Sequence, residues 1–159
     1  MDKVTLERID QIHPILRADL KNDYSFINSQ LPKNVRLRFT FTYRTIDEQN
    51  DLYAQGRTKP GKIVTYLKGG QSMHNYGLAF DIVLLYDTDN NGSFETASWD
   101  LDENFMKVVN YFKSKGWEWG GDWKHFKDSP HFQMTFGNDF KKLKAMPTII
   151  DKGFKYPKL

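Results

Sequence analysis

Cysteine is absent from the 159 residues, which excludes disulfide bonds and thiolate metal ligands. Any bound metal ion must therefore be held by His, Asp or Glu. Long apolar runs are also absent: no stretch approaches the roughly 18 apolar residues of a membrane span, so no membrane insertion is predicted. The opening "MDKVTLERIDQIHPIL" lacks the apolar segment of a signal peptide, and we expect the chain to be made in the cytoplasm.

Charge of one sign is not in large excess, since 23 Lys and Arg face 20 Asp and Glu, a net charge of +3. Such a balance fits an anionic partner such as nucleic acid or a cell-wall polymer, but a solvated surface of mixed charge explains it better. We predict no nucleic-acid partner. The length predicts one domain, 1–159, which can bury a core without covalent cross-links, and we expect a monomer.

The order of periodic segments predicts an α+β fold with a small, mostly antiparallel sheet flanked by helices. Residues 4–30 have a helical apolar stripe that Pro14 interrupts, and residues 35–45 alternate like a strand. Thr45 and Glu48 have the spacing of a capping box for a helix that stops at Gly56. Further along we predict a strand at 77–86, a polar loop at 87–100, a helix ending at Gly116, a strand at 131–136, and a short basic helix with an irregular end.

Asp81 is the unusual residue of the most apolar run, "GLAFDIVLLY". A carboxylate inside a buried strand must be paired or must bind a metal. His74 lies seven residues earlier, and His131 begins another predicted strand. Two His and one Asp, with a position left for water, form the donor set of a catalytic zinc site. Chance alone also produces such a set, and Arg44 or backbone amides can satisfy a buried Asp.

Three segments resemble the M15 family of zinc metallopeptidases. "SMHNYGLAFD" matches its pattern S-x-H-x-x-G-x-A-x-D, and "WEWGGDWKHFKDSPHF" resembles its second motif, W-G-G-D-W followed by D-x-x-H-F. "TYRTIDEQNDLYAQGRT" is similar to the segment that precedes both motifs in the branch of phage endolysins and L-alanyl-D-glutamate peptidases. The resemblance covers residues 42–58 and 72–132, and implies a Hedgehog/DD-peptidase-like fold. We divide the domain into an N-terminal helical region (1–30), a catalytic core (35–137) and a basic tail (138–159).

The resemblance implies roles for the matching positions. His74, Asp81 and His131 would bind Zn²⁺, and Asp128 would be the catalytic acid and base. Arg44 would bind substrate or the developing oxyanion, with Ser72 and Trp123 also contacting substrate. A general acid needs a raised pKa, which we expect from a desolvated pocket lined by Trp117, Trp119, Trp123, Phe126 and Phe132.

Several site assignments have alternatives. Glu118 rivals Asp128 as the base, His125 is interpreted as exposed or facing substrate rather than as a ligand, and Asp122 has no assigned role. Asp87, Asp89 and Asn91 have the spacing of an EF-hand loop, which predicts a weak Ca²⁺ site. Ser98 stands where the bidentate Glu of that loop is expected, and Asp-Asn-Gly turns are common without calcium.

The leading functional hypothesis is a zinc-dependent peptidoglycan hydrolase that cuts stem peptides between L-Ala and D-Glu. The alternatives are a D-Ala-D-Ala carboxypeptidase or dipeptidase of the same family, and a non-catalytic zinc-containing module that binds the wall. An enzyme of this kind without a leader would reach the cell wall by another route, such as release by a phage holin.

Overall fold

An antiparallel sheet lies at the centre of the fold in a computed structural model that describes residues 1–159. The order of its main strands is β1-β2-β5-β4. β3 pairs with Leu84–Tyr86 of β2, beyond the part of β2 that pairs with β5. A separate hairpin of β6 and β7 follows near the end of the chain. The strands are β1 (Val35–Phe41), β2 (Ala79–Tyr86), β3 (Thr96–Ser98), β4 (Glu118–Trp119), β5 (His131–Gln133), β6 (Thr148–Asp151) and β7 (Phe154–Pro157).

Five helices accompany the strands, which confirms the predicted α+β class. The capping box of Thr45 and Glu48 is formed at the start of the third helix, as the spacing predicted. None of the helices has the length and apolar character needed to cross a bilayer. The helices are α1 (Lys3–Ile9), α2 (Arg17–Ser29), α3 (Ile46–Ala54), α4 (Glu103–Ser114) and α5 (Phe140–Ala145), and 3₁₀ turns lie at Met73–Tyr76 and Gly120–Asp122.

Alternation along β2 and β5 separates a core face of the sheet from a functional face. Phe80 and Phe132 are paired across the two strands, and their rings stack at 5.1 Å. Phe112 of α4 packs against Phe80 at 5.0 Å, so this helix covers the core face. Asp81 and His131 are the next pair along the two strands. Because successive side chains of a strand point to opposite faces, both point away from the aromatic core.

Some predicted boundaries were wrong. The second helix begins at Arg17 rather than near Pro14, and β1 ends at Phe41 rather than at residue 45. The loop predicted for residues 87–100 contains β3, β4 lies between the helix predicted to end at Gly116 and the next predicted strand, and that strand, predicted at 131–136, ends at Gln133. β3 and β4 are three and two residues long, too short to show an alternating pattern. Their pairing partners, which are distant in sequence, define them.

The chain end is an ordered hairpin, not the irregular segment predicted. Lys152 and Gly153 both have positive φ angles, 52° and 84°, as in the two-residue turns that suit the twist of a hairpin. The hairpin is attached to the N-terminal region, because Asp151 accepts a hydrogen bond from Arg17 at 2.6 Å and the Pro157 carbonyl accepts one from His13 Nε2 at 2.7 Å. The proposed division into helical region, core and tail stays a prediction.

Candidate active site

The three predicted ligands are brought together by one short turn and two neighbouring strands. His74 lies in the 3₁₀ turn, which Ser72 caps by accepting a hydrogen bond from the His74 backbone N–H at 3.2 Å. Gly77 ends the turn in a left-handed conformation, where a Cβ would lie 2.8 Å from the backbone nitrogen of His13. The glycine of the first motif therefore allows the turn to pack closely before the chain enters β2.

The side chains converge on one carboxylate oxygen. Asp81 Oδ1 lies 3.2 Å from His74 Nε2 and 3.0 Å from His131 Nδ1. One donor atom from each of the three residues lies within 4.8 Å of the other two. All three side chains are largely buried, with exposed fractions of 4% for His74, 17% for Asp81 and 7% for His131.

The shifted pKa values of Asp81 and His131 indicate that the cluster favours a negative carboxylate surrounded by positive charge. Burial alone would raise the pKa of Asp81, but the charge of His74 and hydrogen bonds with both imidazoles hold it far below its usual value. Burial alone would lower the pKa of His131, but Asp81 raises it. An ionised Asp81 thus faces two imidazoles, and the positive charge it requires can come from protons or from a metal ion.

In each imidazole, the outer nitrogen points away from Asp81 and contacts an oxygen acceptor. The inner nitrogen points toward Asp81, and its lone pair is available to bind a metal ion. His74 Nδ1 lies 2.7 Å from the Thr42 carbonyl oxygen, which can only accept, so this nitrogen carries a hydrogen. His131 Nε2 lies 2.9 Å from Oε1 of Gln133. A hydrogen on each inner nitrogen makes the hydrogen bonds to Asp81; when that hydrogen is absent, His74 Nε2 and His131 Nδ1 are bare and can bind a metal ion together with Asp81. Three converging acceptors fit a metal ion.

Asp128 lies beside this cluster, with its Oδ2 3.9 Å from His131 Nδ1 and with 47% of its side chain exposed. Its carboxylate accepts no hydrogen bond from the protein, so it is free to bind a water molecule or substrate. Burial, followed by the negative charge of Asp81, raises the pKa of Asp128. The raised pKa agrees with the expectation for a residue that both accepts and returns a proton.

The Gly-Gly pair of the second motif gives Asp128 its position. A Cβ on Gly120 would lie 2.3 Å from the Asp128 carbonyl oxygen and 3.1 Å from its Cβ. The Asp128 backbone N–H donates to the Gly120 carbonyl oxygen at 3.0 Å. A Cβ on Gly121 would lie 2.2 Å from the ring of Trp119. Both glycines are therefore required by close packing in the loop that carries Asp128.

The pocket expected around Asp128 is only partly formed by the predicted aromatic residues. Trp117, Trp119 and Phe132 belong to the buried core, so their assignment to the pocket was wrong. Phe132 lies between His131 and Gln133 on β5, and strand alternation directs it to the core face. Trp123 and Phe126 do line the cleft. The raised pKa of Asp128 is therefore caused mainly by partial burial and by Asp81.

Arg44 lies in the cleft and is held from behind by α3. Its Nη1 donates to Oε1 of Gln49 at 3.0 Å, and its other N–H groups remain available for a ligand. Burial lowers the pKa of Arg44, against the opposing effect of the Asp81 charge. Arg44 is not hydrogen-bonded to Asp81. The alternative in which Arg44 compensates the buried Asp81 carboxylate by a direct contact was therefore wrong.

The remaining predicted residues occupy different positions. Trp123 lies with its ring centroid 5.4 Å from that of His131 and donates from Nε1 to Glu118 Oε2 at 2.8 Å. Glu118 also accepts from Gln133 Nε2 at 3.1 Å and does not line the cleft, which disfavours it as the base. His125 is exposed at the cleft rim and is absent from the ligand cluster. Asp122 pairs with Lys113 at 2.6 Å on the surface. The roles assigned to individual residues stay predictions.

The cluster and Asp128 line a cleft of about 1070 Å³. A second depression of about 440 Å³ shares Phe41, Arg44, Leu52 and Gln55 with it, so the groove continues beyond Arg44. Tyr66 and Phe126 also line the cleft, are 65% and 75% exposed, and lie with their ring centroids 5.2 Å apart. They come from different loops and form an aromatic pair at the rim.

The loop predicted to bind calcium is explained by its own hydrogen bonds. Asp87 accepts from the backbone N–H groups of Asn91 at 3.1 Å and Gly92 at 2.9 Å. Asp89 Oδ1 also accepts from the Asn91 backbone N–H, at 3.2 Å, and Asn91 Oδ1 accepts from the backbone of Ser93 at 2.7 Å. These are turn contacts of the kind that Asp and Asn make without a metal, and nothing in the structure supports the calcium prediction.

Three supporting residues were missed in the sequence. Gln49 is fully buried and connects Arg44 to the Leu67 carbonyl oxygen, to which it donates at 2.8 Å. Asn75 is buried within the first motif; it accepts from the Gly70 backbone at 3.0 Å and donates to the Arg44 carbonyl oxygen at 2.9 Å. Gln133 contacts His131. Of the three, only the position of Gln133 could be predicted from the sequence. It is two residues from His131 in a predicted strand, so both side chains lie on the same face of the sheet.

The chain is similar in sequence to known peptidases. A family model of the M15 peptidases, described as D-alanyl-D-alanine carboxypeptidase, matches residues 67–134. Over 130 residues the chain is 40% identical to the peptidoglycan L-alanyl-D-glutamate endopeptidase CwlK of Bacillus subtilis, a match that covers 77% of this chain and 73% of that protein. Over 91 residues it is 33% identical to the L-alanyl-D-glutamate peptidase of Listeria phage A118, a match that covers 54% of this chain and 30% of that protein.

A solved structure is also similar. The L-Ala D-Glu endopeptidase ChiX of Serratia marcescens matches with a TM-score of 0.55 and 22% identity, over 86% of this chain and 90% of that one. At this identity the likeness shows the fold alone.

Proposed function

Because the chain belongs to the M15 family of peptidases, we propose that it is a peptidoglycan endopeptidase that cuts the L-Ala–D-Glu bond of stem peptides. Two relatives, one bacterial and one from a phage, are named for that bond. The observation that carries the proposal is the position of Asp128, next to three converging donor atoms in a large cleft. A module that only bound the wall would have no use for a carboxylate at that point.

The metal in this proposal is zinc, held by His74 Nε2, Asp81 Oδ1 and His131 Nδ1. Two histidines and one carboxylate, without cysteine, are a donor set of catalytic zinc sites. When bound, zinc supplies Lewis acidity, which polarises a carbonyl group and makes water acidic enough to ionise near neutral pH. The buried negative charge of Asp81 and the bare nitrogens of the two imidazoles support binding of a cation at this position.

Asp128 would take the proton of the attacking water and return it to the leaving amine. Its carboxylate has no competing hydrogen bond from the protein, and its raised pKa favours the second of these steps. Arg44 would stabilise the negative charge that develops on the scissile carbonyl oxygen, while Gln49 holds the guanidinium in place. Trp123 would contact the substrate as part of the cleft wall. Ser72 would act mainly by capping the turn that carries His74.

The shape of the groove favours an endopeptidase over a carboxypeptidase or dipeptidase. Pockets for compact ligands have volumes of about 300–1,000 Å³. This cleft, at about 1070 Å³, is slightly larger than that range, and it continues past Arg44 into a second depression. A peptide that remains attached to a glycan strand needs room on both sides of the cut bond, whereas a terminal D-Ala-D-Ala needs room on one side only.

Action at the cell wall and a monomeric state belong to the same proposal. The wall is where the proposed substrate lies, and release by a holin fits the likeness to a phage peptidase. The monomer is tested by sedimentation at micromolar concentration, where a mass near 18.7 kDa is expected and twice that mass would contradict it.

The proposed function is tested by digesting purified peptidoglycan with the wild type, Asp128→Asn and the surface control Glu7→Gln, with zinc content measured for each. We expect the wild type and the control to create new D-Glu amino termini and L-Ala carboxyl ends, identified by mass spectrometry. Asp128→Asn should keep its zinc and lose cleavage. Release of free D-Ala would instead indicate a carboxypeptidase, and no cleavage by zinc-loaded wild type would favour the binding module.

A further inference from the structure

Two polar residues behind His131 form a continuous set of hydrogen bonds with it. Glu118 on β4 and Gln133 on β5 are paired across the strands, and Gln133 Nε2 donates to Glu118 Oε2 at 3.1 Å. Gln133 Oε1 lies 2.9 Å from His131 Nε2. His131 and Gln133 are two residues apart on β5, so their side chains share the functional face of the sheet.

The direction of these hydrogen bonds follows from Glu118. A carboxylate only accepts, so the amide NH₂ group of Gln133 must point toward Glu118 and its oxygen toward His131. The nitrogen of His131 that faces this oxygen must then carry the hydrogen. In the neutral imidazole that leaves Nδ1 bare, and Nδ1 is the atom that lies 3.0 Å from Asp81. Without Glu118 the amide of Gln133 could rotate by 180° and favour the opposite tautomer.

The same carboxylate also holds one wall of the cleft. Trp123 Nε1 donates to Glu118 Oε2 at 2.8 Å, and the Trp123 ring lies against His131 with the centroids 5.4 Å apart. Glu118 is therefore connected to His131 along two routes, through the Gln133 amide and through the Trp123 ring. β4 is only two residues long, and one of its residues makes both contacts.

We propose that Glu118 and Gln133 are positioning residues that fix the tautomer and the ring orientation of His131, so that Nδ1 binds the metal. This inference rests on the zinc site of the proposed function. It gives Glu118 a role different from that of a general base. Partners of this kind on metal-binding histidines typically change metal affinity by about 10- to 100-fold.

The test measures zinc affinity of the full chain by competition with a chromophoric chelator. Gln133→Leu removes the oxygen that faces His131, and Glu118→Leu removes the group that orients the amide. Their double variant completes a cycle. A fourth variant, Glu118→Gln with Gln133→Glu, exchanges the two groups. The carboxylate introduced on β5 can accept hydrogen bonds from His131 and from the amide introduced on β4. The oxygen of that amide can accept a hydrogen bond from Trp123. Glu7→Gln on α1, where Glu7 is 66% exposed, is the matched surface control.

We expect Gln133→Leu to bind zinc about 10- to 100-fold more weakly than the wild type, and Glu118→Leu to lose less. The double leucine variant should bind only slightly more weakly than Gln133→Leu, because the Gln133 amide is the main route from Glu118 to His131 and only the contact through the Trp123 ring is lost in addition. The exchanged variant should bind within about threefold of the wild type, and its recovery would exclude general damage to the fold. Glu7→Gln should be unchanged.

Other results would overturn the inference. These are Gln133→Leu with wild-type affinity, additive losses in the double variant, or an exchanged variant as weak as Gln133→Leu. A wild type that binds zinc but does not cut peptidoglycan would refute the proposed function and leave this inference standing. A wild type that binds no zinc would refute both.

Discussion

Gly120→Ala is the substitution for which the structure gives the sharpest expectation. The new Cβ would lie 2.3 Å from the Asp128 carbonyl oxygen, whereas ordinary contacts begin at 3.4 Å. The backbone of Asp128 must therefore move by about 1 Å, because both partners of the clash are main-chain or Cβ atoms. A misplacement of about 1 Å at a reacting group costs roughly 100-fold in rate, or about 2.7 kcal/mol of barrier.

The assay compares kcat for a synthetic stem peptide between the wild type, Gly120→Ala, Asp128→Ala and the double variant. We expect Gly120→Ala to lower kcat by about 100-fold, and to have little further effect when Asp128 is already alanine. Gly92→Ala is the control, because its Cβ would meet nothing within 4 Å although its φ of +84° makes any substitution strained. It should lose roughly 1 kcal/mol of stability without losing activity.

The reasoning would be refuted if Gly120→Ala kept full activity, or if its effect were undiminished in the Asp128→Ala background. The first result would mean that the loop accommodates a Cβ without moving Asp128. The second would mean that Gly120 acts on the reaction by some route other than Asp128.

Three further predictions concern the rest of the molecule. Gln49→Leu should lower kcat/KM about tenfold by freeing Arg44, since a hydrogen bond to a charged group is worth roughly 1.5–3 kcal/mol; unchanged kinetics would contradict this. Phe126→Ala should lower KM for the stem peptide by up to about tenfold, because loss of the exposed Phe126 ring beside Tyr66 widens the rim of the cleft; a raised KM would instead make the pair part of the binding surface. Burial lowers the pKa of His13, so the unfolded chain binds its proton more readily, and the contribution of His13 to stability should fall below about pH 6.5, by at most about 1.4 kcal/mol per pH unit. On going from pH 7.5 to 5.5 in urea unfolding, His13→Gln should lose less stability than the wild type, and an equal change in the two proteins would contradict the assignment.

The metal cluster could be anticipated because its residues violate the local pattern. Asp81 interrupts an apolar strand, and a buried carboxylate is costly unless something compensates it. The structure puts His74 and His131 at hydrogen-bonding distance from it. Strand alternation also explains the error at Phe132: its neighbours His131 and Gln133 face the cleft, so Phe132 had to face the core.

Residues that act through distant contacts could not be anticipated in the same way. Glu118 is defined as a strand residue only by its pairing with Gln133, and nothing within "WEWGG" shows that pairing. Gln49 appears in the sequence as an ordinary helix residue, yet it is fully buried between Arg44 and the loop of Leu67. In each case the function of the side chain depends on segments that folding brings together from elsewhere in the chain.

The central claim is tested most directly by adding zinc to the metal-free protein in the presence of a synthetic stem peptide. We predict that the metal-free protein is inactive and that one equivalent of zinc restores cleavage between L-Ala and D-Glu. His74→Ala should bind zinc weakly and recover little activity at that stoichiometry. Full activity without metal, or cleavage at another bond on addition of zinc, would contradict the account.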